Sequence, residues 1–371
     1  MIRHGYSTCS TCHADPSGAG LLTAYGRGLA ETELRTRWGK QRDEDAEPGR
    51  IANFMLGAFK TPDRLLLQVD GRGLALVPTA QASKTRFSVM QADAAAQLRL
   101  GRFRANGSLG YAYQGALGAS VTRGDARLEH RLIARTYWLG VGLGSEEQLV
   151  LRAGRMNLPF GLRNIEHTMF VRMATRTNVN DQQQVGVALA WNAPSIRAEL
   201  MVVVGNFQIR PDDFRERGYS AYFEWSPLEK LAIGASSLVT HAALDLELAT
   251  PLWRHAHGLF ARWSPRRWLV ASLESNLLFY SQPPAGAAAA NNVAGNASAL
   301  LLDFEPLKGL HLLGAAELQN RGLGDASTDY GLWAGAWWFF LPHLDVRADV
   351  NWSSVEGRGA TYLLFQLHGY L

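Results

Sequence analysis

The 371-residue sequence predicts an all-β fold, namely a transmembrane antiparallel β-barrel of about 16 strands behind a short, partly helical N-terminal segment. Three observations favour this class. Long stretches alternate between polar and apolar residues, tight turns recur at a regular interval, and no apolar run reaches the roughly 18 residues of a membrane-spanning helix. The net charge is only +4, so the composition offers no basic surface for nucleic acid.

The first motif with chemistry is Cys9-Ser10-Thr11-Cys12-His13, which holds the only two cysteines of the chain. This CxxCH spacing is typical of c-type haem attachment, in which the two thiols add to the haem vinyl groups and His13 ligates the iron. A zinc site would need a second pair of ligands, and none stands nearby. A thioredoxin-like dithiol would need a strand before the motif. We therefore expect one covalent haem c, with zinc, dithiol or disulfide chemistry as alternatives.

The motif opens a region, residues 1–50, that is too short to bury a core of its own. We expect it to be a haem-bearing segment and linker that either lies at the periplasmic mouth of the barrel or plugs it, with residues 51–371 as the barrel. The second axial ligand is open at this stage. The candidates are His4, which is close in sequence, Met55, which follows the linker, and His167, which lies in a long connection.

From about residue 63 the hydrophobic pattern has a period of two. The segments reach about ten residues or more, longer than ordinary strands of soluble sheets, and match a barrel with an aqueous lumen. The clearest example alternates Asp345, Arg347, Asp349 and Asn351 with Leu344, Val346, Ala348, Val350 and Trp352.

Tight turns are predicted where an aromatic residue closely precedes a proline, because proline needs no ladder hydrogen bond in a turn. The interval of about 33 to 41 residues fits two long strands and a loop, whereas a propeller would show four short strands per unit. These turns are Trp191-Asn192-Ala193-Pro194, Trp225-Ser226-Pro227, Trp263-Ser264-Pro265, Phe304-Glu305-Pro306 and Phe340-Leu341-Pro342.

Two further turns, near Gly101 and near Gly144-Ser145, bring the predicted number to about seven and the strands to about sixteen, if both barrel ends lie on the short-turn side. By the usual asymmetry of such barrels, short turns face the periplasm and long loops the exterior. The longer connections are predicted at 78–85, 115–127, 156–183, 205–217, 241–256, 280–297, 320–329 and 354–360.

The third of these connections, Met156 to Gln184, is the longest and carries several charges. In diffusion porins the third loop folds inward and its charges sort solutes by size and sign. A solvated external loop is the plain alternative. The candidate constriction residues are Arg163, Glu166, His167, Arg172 and Arg176.

Two stretches resemble a group of outer-membrane β-barrel proteins with a CxxCH motif from Gram-negative bacteria. One is Cys9-Ser10-Thr11-Cys12-His13 with the following Pro16 to Arg27, and the other is Gly154 to Arg163 with Glu166 to Phe170. The resemblance implies a periplasmic N-terminus that carries haem c and a porin-like barrel. It also implies a role beside cytochromes that pass electrons across the outer membrane.

The sequence shows no nucleophile elbow, Walker loop or zincin helix, so we do not expect an enzyme. The leading hypothesis is a porin-like barrel with one covalent haem c that takes part in electron transfer or redox-linked transport. Its alternatives are a general diffusion porin whose haem segment is a structural plug, and a barrel without haem whose Cys9 and Cys12 form a disulfide or dithiol.

Expected partners are outer-membrane lipid, cytochromes and small solutes, with a porin-like trimer as one oligomeric state. We expect location in the bacterial outer membrane, with the signal peptide missing from the given sequence.

Overall fold

The computed structural model describes residues 2–6, 8–18, 20–36, 38, 53–79, 84–111, 132–164, 166, 168–180, 182–205, 216–245, 250–282, 291–322 and 328–371. Within these ranges, sixteen antiparallel strands form one closed sheet when the interrupted fourth strand is counted once. Each strand pairs with its neighbours in sequence, and the last strand pairs with the first. The predicted all-β barrel of about 16 strands is confirmed.

The strands differ in length from seven to seventeen residues, apart from the two-residue piece that opens β4. Their bounds are β1 Leu65–Pro78, β2 Arg86–Leu100, β3 Phe103–Tyr111, β4 Leu132–Ile133 with Tyr137–Leu143, β5 Leu149–Met156, β6 Gln184–Asn192, β7 Ile196–Gly205, β8 Glu216–Leu228, β9 Leu231–Ala242, β10 Leu252–Arg266, β11 Leu269–Gln282, β12 Asn291–Leu307, β13 Leu310–Asn320, β14 Thr328–Leu341, β15 Leu344–Val355 and β16 Arg358–Tyr370.

The alternating pattern assigns one face of each strand to the lumen and the other to the outside. On β15, Asp345 and Arg347 are buried, whereas Val350 and Trp352 are exposed on the outer face. On β10, Trp253 and Trp263 are both exposed on the outer face and lie ten residues apart. Ten residues at about 3.4 Å each, with a tilt of about 40°, give a height of about 25 Å, as expected for an outer-membrane barrel.

The seven predicted short turns lie at one end of the barrel, but three prolines are placed differently. Pro227, Pro265 and Pro306 lie inside the ends of β8, β10 and β12, where the register shifts. A bulge tolerates proline because its extra residue leaves the hydrogen-bond ladder. The turns themselves begin two residues after each proline.

The prediction of a long connection at 354–360 is wrong. Strands β15 and β16 are joined by Glu356 and Gly357, whose φ angles are 51° and 77°. Two successive left-handed residues make the tight turn that suits the twist of a hairpin, so no longer loop is needed.

Among the residues that the structure describes, helical structure is confined to short pieces. The N-terminal segment, residues 2–38, contains the 3₁₀ turns Ile2–His4 and Cys9–Thr11 and helix α1, Ala24–Leu29, which continues as a π turn over Ala30–Leu34. A further 3₁₀ turn is Phe54–Gly57, and helix α2 is Phe170–Thr175. Within the described ranges, no helix is long and apolar enough to cross a bilayer.

Candidate haem site and lumen constriction

The N-terminal segment lies in the half of the lumen near the short turns. The backbone N–H of Thr36 donates to Phe339 at 2.8 Å, and the N–H of Leu22 donates to the side chain of Gln68 at 2.8 Å. Arg3 forms an ion pair with Glu305 at 2.5 Å. Because these wall residues lie on strand ends at the short-turn side, the segment fills that mouth from inside. The predicted division at residue 50 lies outside the described residues.

The CxxCH motif is held as a compact turn. The N–H groups of Cys12 and His13 both donate to the carbonyl of Cys9, at 3.1 and 2.9 Å. The N–H of Thr23 donates to the carbonyl of Cys12 at 2.9 Å, which closes the loop between the motif and α1. A Cβ at Gly26 would lie 2.2 Å from the Cys12 carbonyl oxygen, so only glycine allows α1 to pack on the motif.

Cys12 and His13 line a cavity of about 320 Å³ between the N-terminal segment, the barrel wall and the third connection. We call it the inner cavity. Its volume falls within the roughly 300–1,000 Å³ of small-molecule and cofactor sites. One side is apolar and comes from the segment around α1, while the wall is mostly polar but includes Trp337 and Phe339. The segment contributes Leu21, Leu22, Leu29, Ala30 and Leu34, and the wall includes Asp70, Arg72, Asp93, Arg135, Asp345 and His368.

This donor set fits a c-type haem in its chemistry. Two thiols and an imidazole stand in one turn, an apolar side is available for the porphyrin face, and Arg72 and Arg135 can pair with its carboxylates. Cys9 is not part of the cavity lining, because its sulfur packs on Gly18, where a Cβ would lie 3.0 Å away. A thioether at Cys9 therefore requires a different side-chain rotamer.

Burial raises the pKa of the Cys12 thiol, so this group stays protonated at neutral pH. His13 also lines a second cavity of about 570 Å³, the rim cavity, which includes Arg99 and Glu147 near the short turns. The motif thus lies between an inner cavity and a cavity near the barrel rim.

Two of the three candidates for a second axial ligand, His4 and Met55, are not brought to the inner cavity. His4 faces Glu33, with 3.6 Å between Nδ1 and the carboxylate, and burial lowers its pKa. Met55 lies in the turn Phe54–Gly57 before β1. Neither residue lines the cavity. His167 lies outside the described residues.

A buried cluster of charges joins the haem loop to the wall. We call it the Glu199 cluster, and it consists of Asp15, Ser17, Arg152, Arg163 and Glu199. Arg152 pairs with Asp15 at 2.5 Å and also with Glu199, while the Ser17 hydroxyl donates to Glu199 at 2.8 Å. Arg163 pairs with Glu199 at 3.0 Å and donates to the Ser17 carbonyl. One carboxylate therefore holds the N-terminal segment, the wall and the third connection together.

The third connection, residues 157–183, folds into the lumen and is called the third loop below. Its apolar side chains Phe160, Met169 and Val171 are buried against wall residues that include Leu278 and Met201. The backbone N–H of Phe170, at the start of α2, donates to Glu317 at 2.6 Å. The loop thus reaches from β5 to the opposite wall.

The candidate constriction residues are paired with the wall. Arg172 pairs with Glu274, Arg176 with Asp245 at 2.6 Å, and Glu166 with Arg347 at 2.6 Å. Their wall partners and the Glu199 cluster were missed in the sequence. Inward-facing charges on neighbouring strands are the signal that could have indicated them. The field-setting role of the loop stays a prediction.

Comparison with known proteins gives a fold and no family. No family model and no curated protein matches the sequence. Among solved structures, the chain is similar to OmpT of Vibrio cholerae in a trimer form (TM-score 0.61, 10% identity, 83% of this chain and 99% of that one). It is also similar to the outer membrane channel DcaP of Acinetobacter baumannii (0.60, 11%, 84% and 99%) and to the anion-selective porin from Comamonas acidovorans (0.58, 10%, 83% and 99%). At such low identity the likeness shows the fold alone.

Proposed function

We propose that this chain is a bacterial outer-membrane barrel of porin fold that carries one covalent haem c inside its periplasmic half and takes part in electron transfer or redox-linked transport. The observation that supports it best is the position of Cys12 and His13 on the wall of an inner cavity with one apolar side. The N-terminus is periplasmic in this proposal because the segment fills the short-turn mouth.

The residues have separable tasks in this proposal. Cys9 and Cys12 hold the haem covalently, and His13 ligates its iron, while bound haem supplies a one-electron redox centre. Leu29 and Leu34 exclude water from one face, which tunes the redox potential through the local dielectric. The rim cavity beside His13 gives a periplasmic partner a short approach to the site.

One haem cannot relay electrons alone across an apolar band of about 25 Å. Partner cytochromes on one or both sides are therefore part of the proposal. The proposal does not include catalysis of a chemical reaction. A porin-like trimer is proposed because one structural relative is described in a trimer form.

The second candidate is a diffusion porin for small solutes in which the haem segment is a structural plug. The Glu199 cluster favours it, since buried charges fix the segment in the lumen. The two candidates predict different behaviour of the haem and of the pore.

Electron exchange separates them. The reduced haem-loaded protein is mixed by stopped flow with an oxidised periplasmic mono-haem cytochrome c, while single-channel conductance is recorded in planar bilayers. Rapid, salt-dependent oxidation supports electron transfer. A haem that exchanges no electrons, in a barrel that conducts ions, would favour the plugged porin instead.

A further inference from the structure

We infer that His368 is the second axial ligand of the proposed haem, opposite His13. Both imidazoles lie on the wall of the inner cavity, one on the N-terminal segment and one on β16. The inference rests on the proposed haem attachment, and its test is chosen so that the two can fail separately.

The surroundings of His368 are those of a metal-binding histidine. Its Nδ1 lies 2.8 Å from Oδ2 of Asp345 on the neighbouring strand β15. Because a carboxylate only accepts, Nδ1 donates its proton there. Iron ligation would displace the proton on Nε2 and use the lone pair of that nitrogen, while the Asp345 hydrogen bond stays in place. Histidine ligands usually donate their other ring N–H to a carboxylate, which fixes both tautomer and ring orientation.

The other ring nitrogen faces Asp70, which also lines the cavity. Nε2 and Oδ1 of Asp70 are 3.3 Å apart, yet neither atom has a hydrogen-bond partner of acceptable geometry. The side chain of His368 is 13% exposed, so this nitrogen is nearly removed from solvent. Iron ligation at Nε2 would replace a poorly aligned contact without disturbing the Asp345 hydrogen bond.

Closure of the barrel explains why sequence patterns did not reveal this residue. Asp70 lies on the first strand and His368 on the last, and they are adjacent because β1 pairs with β16.

Tyr370 is the rival ligand in the cavity, since a phenolate can also bind haem iron and its ring stacks on His368 at 5.4 Å between centroids.

The test compares three variants of the haem-loaded chain, His368→Ala, His368→Met and Tyr370→Phe, by electron paramagnetic resonance of the ferric state and by redox titration. We expect His368→Ala to lose the low-spin signal and to regain it on addition of free imidazole. We expect His368→Met to stay low-spin with a higher reduction potential, since a Met/His pair raises it. Tyr370→Phe should resemble the wild type.

The matched control is His311→Ala. His311 faces the lumen on β13 and pairs with Asp303 at 2.9 Å in the same manner, but it does not line the cavity. A low-spin signal that persists in His368→Ala, or that is lost only in Tyr370→Phe, would overturn the inference while leaving the attached haem intact. Absence of covalent haem in the unmodified chain would instead refute the proposed function.

Discussion

Two parts of this chain enter the same lumen, and they fill it in different ways. The third loop brings its own apolar core, with Phe160 and Val171 fully buried against the barrel wall. The N-terminal segment is held at its edges by hydrogen bonds and by the Glu199 cluster, but its leucines around α1 face a cavity. The loop is packed by the polypeptide alone, whereas the segment leaves apolar surface beside Cys12 and His13.

This difference indicates whether each part is fully packed by the polypeptide alone. Apolar surface that faces an open space inside a protein forfeits dispersion contacts and hydrophobic stabilisation. In the third loop that surface is covered, so the loop stabilises the barrel without a ligand. In the N-terminal segment it is uncovered, and under the proposed function the porphyrin of the haem would cover it.

The largest expected effect is on the contact that joins both parts. Glu199→Leu would leave Arg152 and Arg163 buried without their shared carboxylate, and removal of one partner of a buried ion pair costs about 3–5 kcal/mol. Urea unfolding in detergent micelles, followed by tryptophan fluorescence, measures the loss. Glu146→Gln in an exposed turn is the control and should be neutral. Equal stability of the two variants would show that the cluster does not hold the parts together.

The next largest effect tests whether the apolar core of the third loop is stable without haem. Met169→Ala removes a side chain that is 1% exposed in the apolar cluster and should cost about 2–4 kcal/mol through the cavity it leaves. Met173→Ala is the matched control, because Met173 lies in the helix that follows Met169 but is 59% exposed. The same unfolding assay applies, and the cost should not depend on haem. A cost that appears only with haem would contradict the comparison.

A smaller effect is expected in the N-terminal segment, and it should depend on haem. Leu29→Ala, on the cavity side of α1, should cost about 1 kcal/mol without haem, because its side chain is incompletely covered. With haem attached the loss should increase, since the leucine then packs on the porphyrin. Unfolding of both forms under identical conditions gives the difference. If haem leaves the loss of unfolding free energy unchanged, the haem does not bind against the apolar side of the cavity.

The smallest effect concerns the rim of the barrel. Burial alone would raise the pKa of the Glu147 carboxyl, but hydrogen bonds and charges from Arg104 and Arg99 outweigh burial and hold it below its ordinary value. The folded-state pKa is depressed, so this stabilisation is present above the unfolded-state pKa of about 4.3 and is lost as the pH falls through the folded value. Glu147→Gln should remove about 0.2–1 kcal/mol at pH 7 and nothing at strongly acid pH. Titrated unfolding of both chains checks this, and a difference that persists in acid would contradict it.

The sequence predicted the parts of the fold that depend on local pattern. The alternation of Asp345, Arg347 and Asp349 with apolar neighbours assigned the lumen face of β15 correctly, because a strand places alternate residues on opposite faces. Three turns were predicted at their prolines but begin two residues later, since a bulge and a turn tolerate proline equally well.

The site was only partly predictable, for a different reason. Cys12 and His13 are recognised by spacing, but their cavity arises from strands far apart in the sequence, such as β1 and β16. The pairing of Glu199 with the haem loop is likewise set by packing between distant segments. No periodicity in the chain encodes those contacts.

The most direct test of the central claim is an acid–acetone extraction of the protein produced in cells that carry the machinery for c-type haem attachment. Covalent haem at Cys9 and Cys12 predicts that the Soret and α/β absorption bands stay with the polypeptide, at one haem per chain, and that replacing both cysteines by serine abolishes them. Haem that is extracted into the solvent, or a protein that never shows these absorption bands, would contradict the account.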